Sequence, residues 1–210
     1  MTKQVFITLL IFLTSTISFT QNELAISNIP PELLEDADAV VRYDIEEFHV
    51  QSPSQAKEIV KFAVTRLNKR ASYDEAAIGY TSKKKLNQNK VKIRLYDASG
   101  ELIRKIDKKE IKDRSAWDGF SLFSDNRYLS VDLSYSEYPY TIVYEYERDH
   151  NGLLVYPRCF FQTRRKTSVQ KKEFTISAPS DIQLNHKTLN IDIEPQNWEE
   201  DARQFYKWEA

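Results

Sequence analysis

KVKIRLYDASGELIRKI, residues 90–106, is the stretch that predicts the fold class most directly. Apolar residues at positions 91, 93 and 95 alternate with polar ones, which is the period of a half-buried β-strand. The tetrapeptide Asp97-Ala98-Ser99-Gly100 follows, and apolar residues return at 102, 103 and 106. Two strand-like runs around a short turn that ends in glycine predict a β-hairpin.

The same alternation recurs along the chain. It predicts strands within residues 41–50, 129–133, 140–147, 174–176 and 189–193. Turn signals separate these runs at intervals of about eight to twelve residues, which is typical of sandwiches. We therefore expect an all-β fold, a large antiparallel β-sandwich with little helix beyond a cleaved signal peptide.

Three local patterns need interpretation. The phase of alternation slips after Glu46-Glu47, which suggests a β-bulge there. Residues 56–67 (AKEIVKFAVTRL) fit either an amphipathic helix or a strand, and their β-branched residues favour a strand. Residues 72–77 fit a short helical turn, with Ser72 as N-cap and Glu75 three positions later.

The N-terminus has the layout of a secretory signal peptide. Lys3 precedes an apolar run at 5–13, and Ser18-Phe19-Thr20 offers a small-x-small cleavage site. The run is shorter than the roughly 20 residues that a membrane span needs. We expect a signal peptide at 1–20, a lead-in segment at 21–38 and a β-sandwich domain at 39–210. The mature protein would be periplasmic or on the cell surface, with no membrane span.

The charge balance argues against polyanionic partners. Without Lys3 the chain carries 29 basic and 31 acidic residues, so nothing attracts nucleic acid at long range. Two local basic clusters, at 83–85 and 164–166, are interpreted as solvated loops or strand ends. The single cysteine, Cys159, cannot form an intrachain disulfide, so core packing must stabilise the fold.

The order of the strand patterns also resembles a known family. DADAVVRYDIEEFHV (36–50), the hairpin at 90–106, FSDNRYLSVDL (123–133) and YPYTIVYEYE (138–147) follow an exported N-terminus. This order resembles the β-rich domain of unknown function that precedes a transglutaminase-like core in exported bacterial proteins. The resemblance implies a noncatalytic β-sandwich and a Cys-His-Asp core in cis, and no residue of such a triad can be carried over to this chain.

No motif in the sequence supports a catalytic, cofactor or metal site. Cys159 has no family signature around it, and a small buried side chain is the simpler interpretation. His49, His150 and His186 are isolated, without the spacing of a local zinc site. The carboxylate pairs Glu145/Glu147 and Asp44/Glu46 fit a glycosidase in principle, but also the polar face of a strand.

Aromatic residues are the one enrichment, at 12% of the chain. One hypothesis is a glycan or peptide ligand platform formed by Trp117, Tyr128 and Tyr138. The other is packing, because Tyr140, Ile142, Tyr144 and Tyr146 alternate as a buried strand face would. Packing is also what we expect of a further set of side chains: Val41, Tyr43, Ile93, Leu95 and Val131.

These patterns predict a noncatalytic N-terminal accessory domain, which packs on or presents substrate to a transglutaminase-like core. The alternative is a free-standing periplasmic or surface module that binds carbohydrate or peptide.

Overall fold

A computed structural model describes residues 23–116, 125–153, 156–161 and 164–210. The predicted signal peptide lies outside the described residues. The strands are β1 (Ala39–Ser52), β2 (Gln55–Arg66), β3 (Glu75–Tyr80), β4 (Lys84–Leu86), β5 (Lys92–Tyr96), β6 (Leu102–Lys105), β7 (Lys112–Ser115), β8 (Arg127–Asp132), β9 (Tyr140–Asn151), β10 (Thr167–Val169), β11 (Lys172–Pro179), β12 (Gln196–Glu200) and β13 (Arg203–Glu209). Short 3-10 turns lie at Ile26–Asn28, Pro31–Leu33, Gln88–Lys90 and Lys108–Glu110.

The strands form two sheets. The larger has ten strands, in the order β12-β13-β11-β1-β2-β9-β5-β6, with β10 beside β1 and β4 beside β9. The smaller has three, in the order β3-β8-β7. The predicted all-β fold is confirmed. The larger sheet is mixed, because β1 pairs in parallel with β10 and β11, which the sequence did not indicate.

Most of the strand predictions are confirmed. Strands β5 and β6 form the expected hairpin, whose turn ends at Gly100 with φ 82°. The Asp97 carboxylate accepts hydrogen bonds from the backbone N–H groups of Ser99 and Glu101, which stabilises this turn. Residues 56–66 are a strand, as their β-branched residues favoured.

The bulge lies earlier than the sequence suggested. Pairing of β1 with β2 is regular from Tyr43 to Val50, and the shift lies between Val41 and Tyr43. Arg42 is the extra residue, and from Tyr43 onward the strand presents the opposite alternation. Tyr43, expected beside Val41 in the core, therefore lies on the other face and is only half-buried.

Arg42 explains why the bulge is there. Its guanidinium is buried and donates to the backbone carbonyls of Glu23, Leu24 and Ala25, and to the Gln170 side chain. The bulge directs this long side chain toward the lead-in segment, where it donates to three backbone carbonyls. In the sequence, an arginine at a polar position of a strand looks the same whether it is buried at a bulge or faces solvent, so the sequence did not distinguish the two.

Two other predictions are wrong. Residues 72–77 form no helical turn, because strand β3 begins at Glu75. Residues 189–193 form no strand; Leu189 is 65% exposed and Asn190 has φ 60°, which interrupts an extended chain. Among the described residues, no helix is long and apolar enough to cross a membrane.

One face of the large sheet carries both hydrophobic clusters. The first joins Val41, Phe62, Ile93 and Ile142 to side chains of β3 and β8, so the small sheet covers this end. The second joins Phe48, Phe174 and Trp208 to residues within 153–161 and 182–193. We call this the core face and the opposite side the outer face.

The aromatic run of β9 packs as the alternation predicted. Tyr140 and Ile142 are buried, and the ring of Tyr144 stacks on Phe62 with centroids 4.8 Å apart. Tyr144 also stacks on Tyr146 at 6.3 Å. These rings join the first cluster to the middle of the sheet.

Replacing Tyr144 by alanine should destabilise the protein by about 3–5 kcal/mol, because the lost ring leaves a cavity against Phe62. Chemical denaturation measures this difference. The matched control is Leu102→Ala, at a side chain that is 46% exposed, where we expect a change within about 0.5 kcal/mol. A Tyr144→Ala change below 1 kcal/mol would contradict the packing role.

Candidate functional site

Ionisable side chains occupy the core face between the two hydrophobic clusters. The register places Asp44, Glu46, Glu58, Arg148, His150 and Lys172 on this face, and we call them the polar belt. Asp44 lies beside Lys172 on the parallel strand β11, and their carboxylate oxygen and ammonium nitrogen are 2.8 Å apart. Charges at this depth persist only when they are paired.

Glu58 is the best-connected member of the belt. It is buried, and one oxygen lies 2.5 Å from His150 Nε2. Arg148 donates to both of its oxygens and also to the carbonyl of Gly79 at 2.8 Å. Burial by itself would raise the pKa of Glu58, but the hydrogen bonds from His150 and Arg148 outweigh it and the pKa is lowered. This cluster joins β2, β9 and the small sheet.

Glu46 differs from the rest of the belt. It forms no hydrogen bond or ion pair with any described residue. Burial, followed by the negative charge of Glu58, raises the pKa of Glu46 to about 7. A carboxyl group that titrates near neutral pH can accept or release a proton under physiological conditions, and such groups often mark functional sites.

The other carboxylate pair, Glu145 and Glu147, is engaged in ion pairs within the fold. Glu145 and Glu147 lie on the outer face, where Glu145 pairs with Lys92 and Arg94 at 3.5 and 3.1 Å. Glu147 pairs with Lys57 and Lys90 at 3.5 and 3.6 Å. Both carboxylates are neutralised by neighbouring cations, which fits the polar-face interpretation better than a glycosidase pair.

Cys159 lies near the belt but lacks the environment of a nucleophile. Burial raises the pKa of its thiol to about 11, so the thiolate is scarce at neutral pH. His49 is hydrogen-bonded to Glu47 and Ser177 on the outer face. His150 is engaged with Glu58, and the ring of His186 packs against Tyr206 and Trp208. Among the described residues, no group of His, Cys, Asp or Glu is arranged to hold a metal ion.

Two of the three residues of the predicted ligand platform lie among the described residues. Tyr138 precedes the start of β9, is 37% exposed and lies near the Arg66 guanidinium, 5.5 Å from the ring centroid. Tyr128 lies on the small sheet opposite Gly79, whose carbonyl contacts Arg148 near the other end of β9. Trp117 lies outside the described residues. The structure does not bring Tyr128 and Tyr138 together, and a joint platform stays a prediction.

A different aromatic pair, of an exposed and a half-buried ring, lies at the edge of the large sheet. Trp198 on β12 is 40% exposed, and its ring stacks on Phe205 of β13 with centroids 5.0 Å apart and an interplanar angle of 6°. Sequence reasoning missed this pair, since QNWEE shows no alternation of apolar residues. Two aromatic residues flanking the Asp201-Ala202 turn were the available signal.

The ionisation of Glu46 can be tested by stability. The rise of its pKa from an ordinary 4.5 to about 7 is equivalent to roughly 3 kcal/mol. Because the folded state holds this proton more tightly than the unfolded state, the wild type loses stability as the pH rises between those two values. Glu46→Gln removes the effect, so it should gain up to about 3 kcal/mol over the wild type between pH 4 and pH 8, measured by urea denaturation.

Glu47→Gln is the matched control on the opposite face. The hydrogen bond from His49 lowers the pKa of Glu47, so its carboxylate contributes stability at neutral pH that is lost on acidification. The Gln variant should therefore be less stable than the wild type at pH 8, with a gap that closes as the pH falls. A Glu46→Gln difference that does not change with pH would contradict the assigned ionisation.

Comparison with solved structures finds this fold in a longer protein. A proposed protease from Parabacteroides distasonis ATCC 8503 matches with a TM-score of 0.69 and 13% identity, over 82% of this chain and 35% of that protein. The M1 zinc metallopeptidase from Deinococcus radiodurans matches with a TM-score of 0.41 and 7% identity, over 82% of this chain and 39% of that one. The chain thus spans about a third of the length of these proteins.

The sequence comparison identifies the family. No curated protein matches the chain. Residues 53–210 match DUF3857, described as a domain of unknown function with a solved structure. This match extends from the turn after β1 to the end of the chain and includes all the strands from β2 to β13. The chain therefore belongs to the DUF3857 family.

Proposed function

We propose that this chain is a noncatalytic accessory domain of an exported protein, which packs on or presents substrate to a catalytic core in cis. The observation that carries the proposal is the similarity to the Parabacteroides protein, in which this fold occupies 35% of a longer chain. Domains of this size fold independently and commonly adjoin a second domain. The sequence resemblance favours a transglutaminase-like core, and the similarity to the proposed Parabacteroides protease favours a protease.

The chemistry of the described side chains supports a noncatalytic role. An acyl-transfer enzyme needs a thiolate or alkoxide beside a base. The Cys159 thiol has a raised pKa, and the hydrogen bonds of His49 and His150 go to carboxylates or a hydroxyl rather than to a thiol. Glu46 could exchange a proton, but a proton acceptor without a nucleophile completes no covalent mechanism.

The predicted export of the chain is compatible with an accessory domain that works outside the cytoplasm. The signal-peptide pattern at 1–20 directs the chain across a membrane, and a cysteine that forms no intrachain disulfide is compatible with the periplasm or cell surface. The proposed partner is therefore part of the same exported polypeptide, and its substrates are extracytoplasmic.

The genomic reading frame beyond Ala210 tests the proposal first. We expect it to continue into a core that contains Cys, His and Asp. In the full-length protein, Cys159→Ser should leave amine incorporation into casein or peptide hydrolysis unchanged, while substitution of the core cysteine abolishes it. A loss of more than tenfold on Cys159→Ser would overturn the noncatalytic assignment, and a stop codon after Ala210 would overturn the accessory role.

A second candidate function is binding of a glycan or peptide at the edge of the large sheet. The coplanar Trp198–Phe205 pair favours it, because exposed flat rings stack well on sugar faces and on peptide groups. Since β12 is the outer strand of its sheet, an extended peptide could also add to its free edge.

Tryptophan fluorescence can test this candidate. If the edge binds a ligand, cell-wall fragments or glycans should shift the emission, and Trp198→Phe should remove the shift. Trp208→Phe is the matched control. Trp208 is buried in the second cluster, so its emission should not respond to the ligand and this variant should keep the shift. A shift that survives Trp198→Phe but disappears with Trp117→Phe would instead support the predicted platform at Trp117, and no shift with either ligand would argue against this second function.

A further inference from the structure

A basic cleft lies between the end of β2 and the start of β10. Its lining includes Asp38, Arg70, Ser72, Arg164 and Arg165. The two arginine groups are about ninety residues apart in sequence. The pairing of β1 brings them together, because Ala39 lies opposite Arg66 on one side and Thr167 on the other. The cleft is thus a product of the fold.

Positive charge exceeds negative charge in the cleft. The carboxylate of Asp38 is already satisfied, since Asn68 donates to it at 3.0 Å and Arg70 pairs with it at 2.9 Å. The guanidinium groups of Arg164 and Arg165 form no ion pair with any described residue. Three arginines therefore face one engaged carboxylate, and Lys166 adds its charge nearby.

Two of the arginines are held in position. The guanidinium of Arg164 lies over the ring of Tyr73, 4.7 Å from its centroid, in a cation–π contact. Tyr73 has φ 98°, a rare backbone conformation for an aromatic residue, and it also packs against Phe62 at 6.0 Å. Arg70 is fixed by Asp38, to which its Nε and a terminal nitrogen both donate. Ordered guanidinium groups can form paired hydrogen bonds with a planar or tetrahedral oxyanion.

The size and polarity of the cleft define what it can hold. Its volume is about 240 Å³, less than the ~300–1,000 Å³ of pockets that enclose a whole drug-sized molecule. The Ser72 hydroxyl adds a further donor. We propose that this cleft is a binding site for an anionic group, a carboxylate or a phosphate, carried by a larger ligand that extends into solvent. This inference is independent of the accessory role.

Titration followed by two-dimensional NMR of the 15N-labelled chain tests the site at constant ionic strength. The probes are inorganic phosphate, an N-acetylated dipeptide with a free carboxylate, and the same dipeptide as its amide. We expect saturable shifts at residues 70–73 and 164–167 with at least one anion and none with the amide. Preference for phosphate or for the dipeptide distinguishes the two sources of the anion.

Charge-removing variants separate the site from general attraction. Arg165→Gln should weaken anion binding roughly tenfold, because hydrogen bonds to charged groups are the strong ones. Arg165 is exposed and forms no ion pair with the residues that the structure describes, so folding should be unaffected. Arg164→Gln should weaken binding further, since it also releases Tyr73.

Arg114→Gln is the matched control, at an exposed arginine on the small sheet, and it should leave binding unchanged. The proposal is overturned if neither anion produces saturable shifts at these residues. It is equally overturned if Arg114→Gln weakens binding as much as Arg165→Gln does, because the interaction would then be nonspecific attraction to surface cations.

Discussion

The antiparallel pairing of β2 with β9 is the constraint on which the rest of the structure depends. It runs without a shift from Gln55 opposite Asn151 to Arg66 opposite Tyr140, the full length of both strands. Because opposite residues share a face, this register alone places Phe62 on Tyr144 and Glu58 beside Arg148. It also fixes the edge of β9 to which β5 and β4 add. A shift of one residue would turn Tyr144 and Arg148 to the outer face, away from Phe62 and Glu58.

The polar belt divides the apolar side chains of the core face into two separate clusters. Many sheets bury one continuous apolar face, whereas here charged side chains separate two hydrophobic clusters on the same face. The two clusters are covered by different parts of the chain, the small sheet on one side and, on the other, residues 153, 159 and 161 together with residues of the segment 182–193. The Arg148 guanidinium joins the belt to the small sheet through Gly79. Glu46 lies within this line of charges, and it forms no hydrogen bond or ion pair with the described part of the chain.

Local patterns predicted the strands well, and pairing between distant strands could not be predicted. The hairpin at 90–106 and the buried alternation of β9 depend on neighbours in sequence, so period and turn chemistry were sufficient. The bulge at Arg42 depends on carbonyls of the lead-in segment, and the parallel partner of β1 lies some 130 residues later. Leu189 and Ile191 alternate like a strand, yet no strand forms, because Asn190 between them has φ 60°. The basic cleft depends on a distant segment: nothing in the run at 164–166 indicates Arg70.

The family match begins at residue 53, one residue after β1 ends, yet β1 lies in the middle of the large sheet between β2 and β11. A fragment cut at the start of the match would therefore lose an interior strand. Strands β2 and β11 would each be left with an unpaired edge, and Phe48 and Val50 would be missing from the second cluster. Free edges of this length attract other chains. The folded unit of this chain thus includes a strand that lies outside the family match, and a fragment of it that begins at residue 53 would be expected to associate or precipitate.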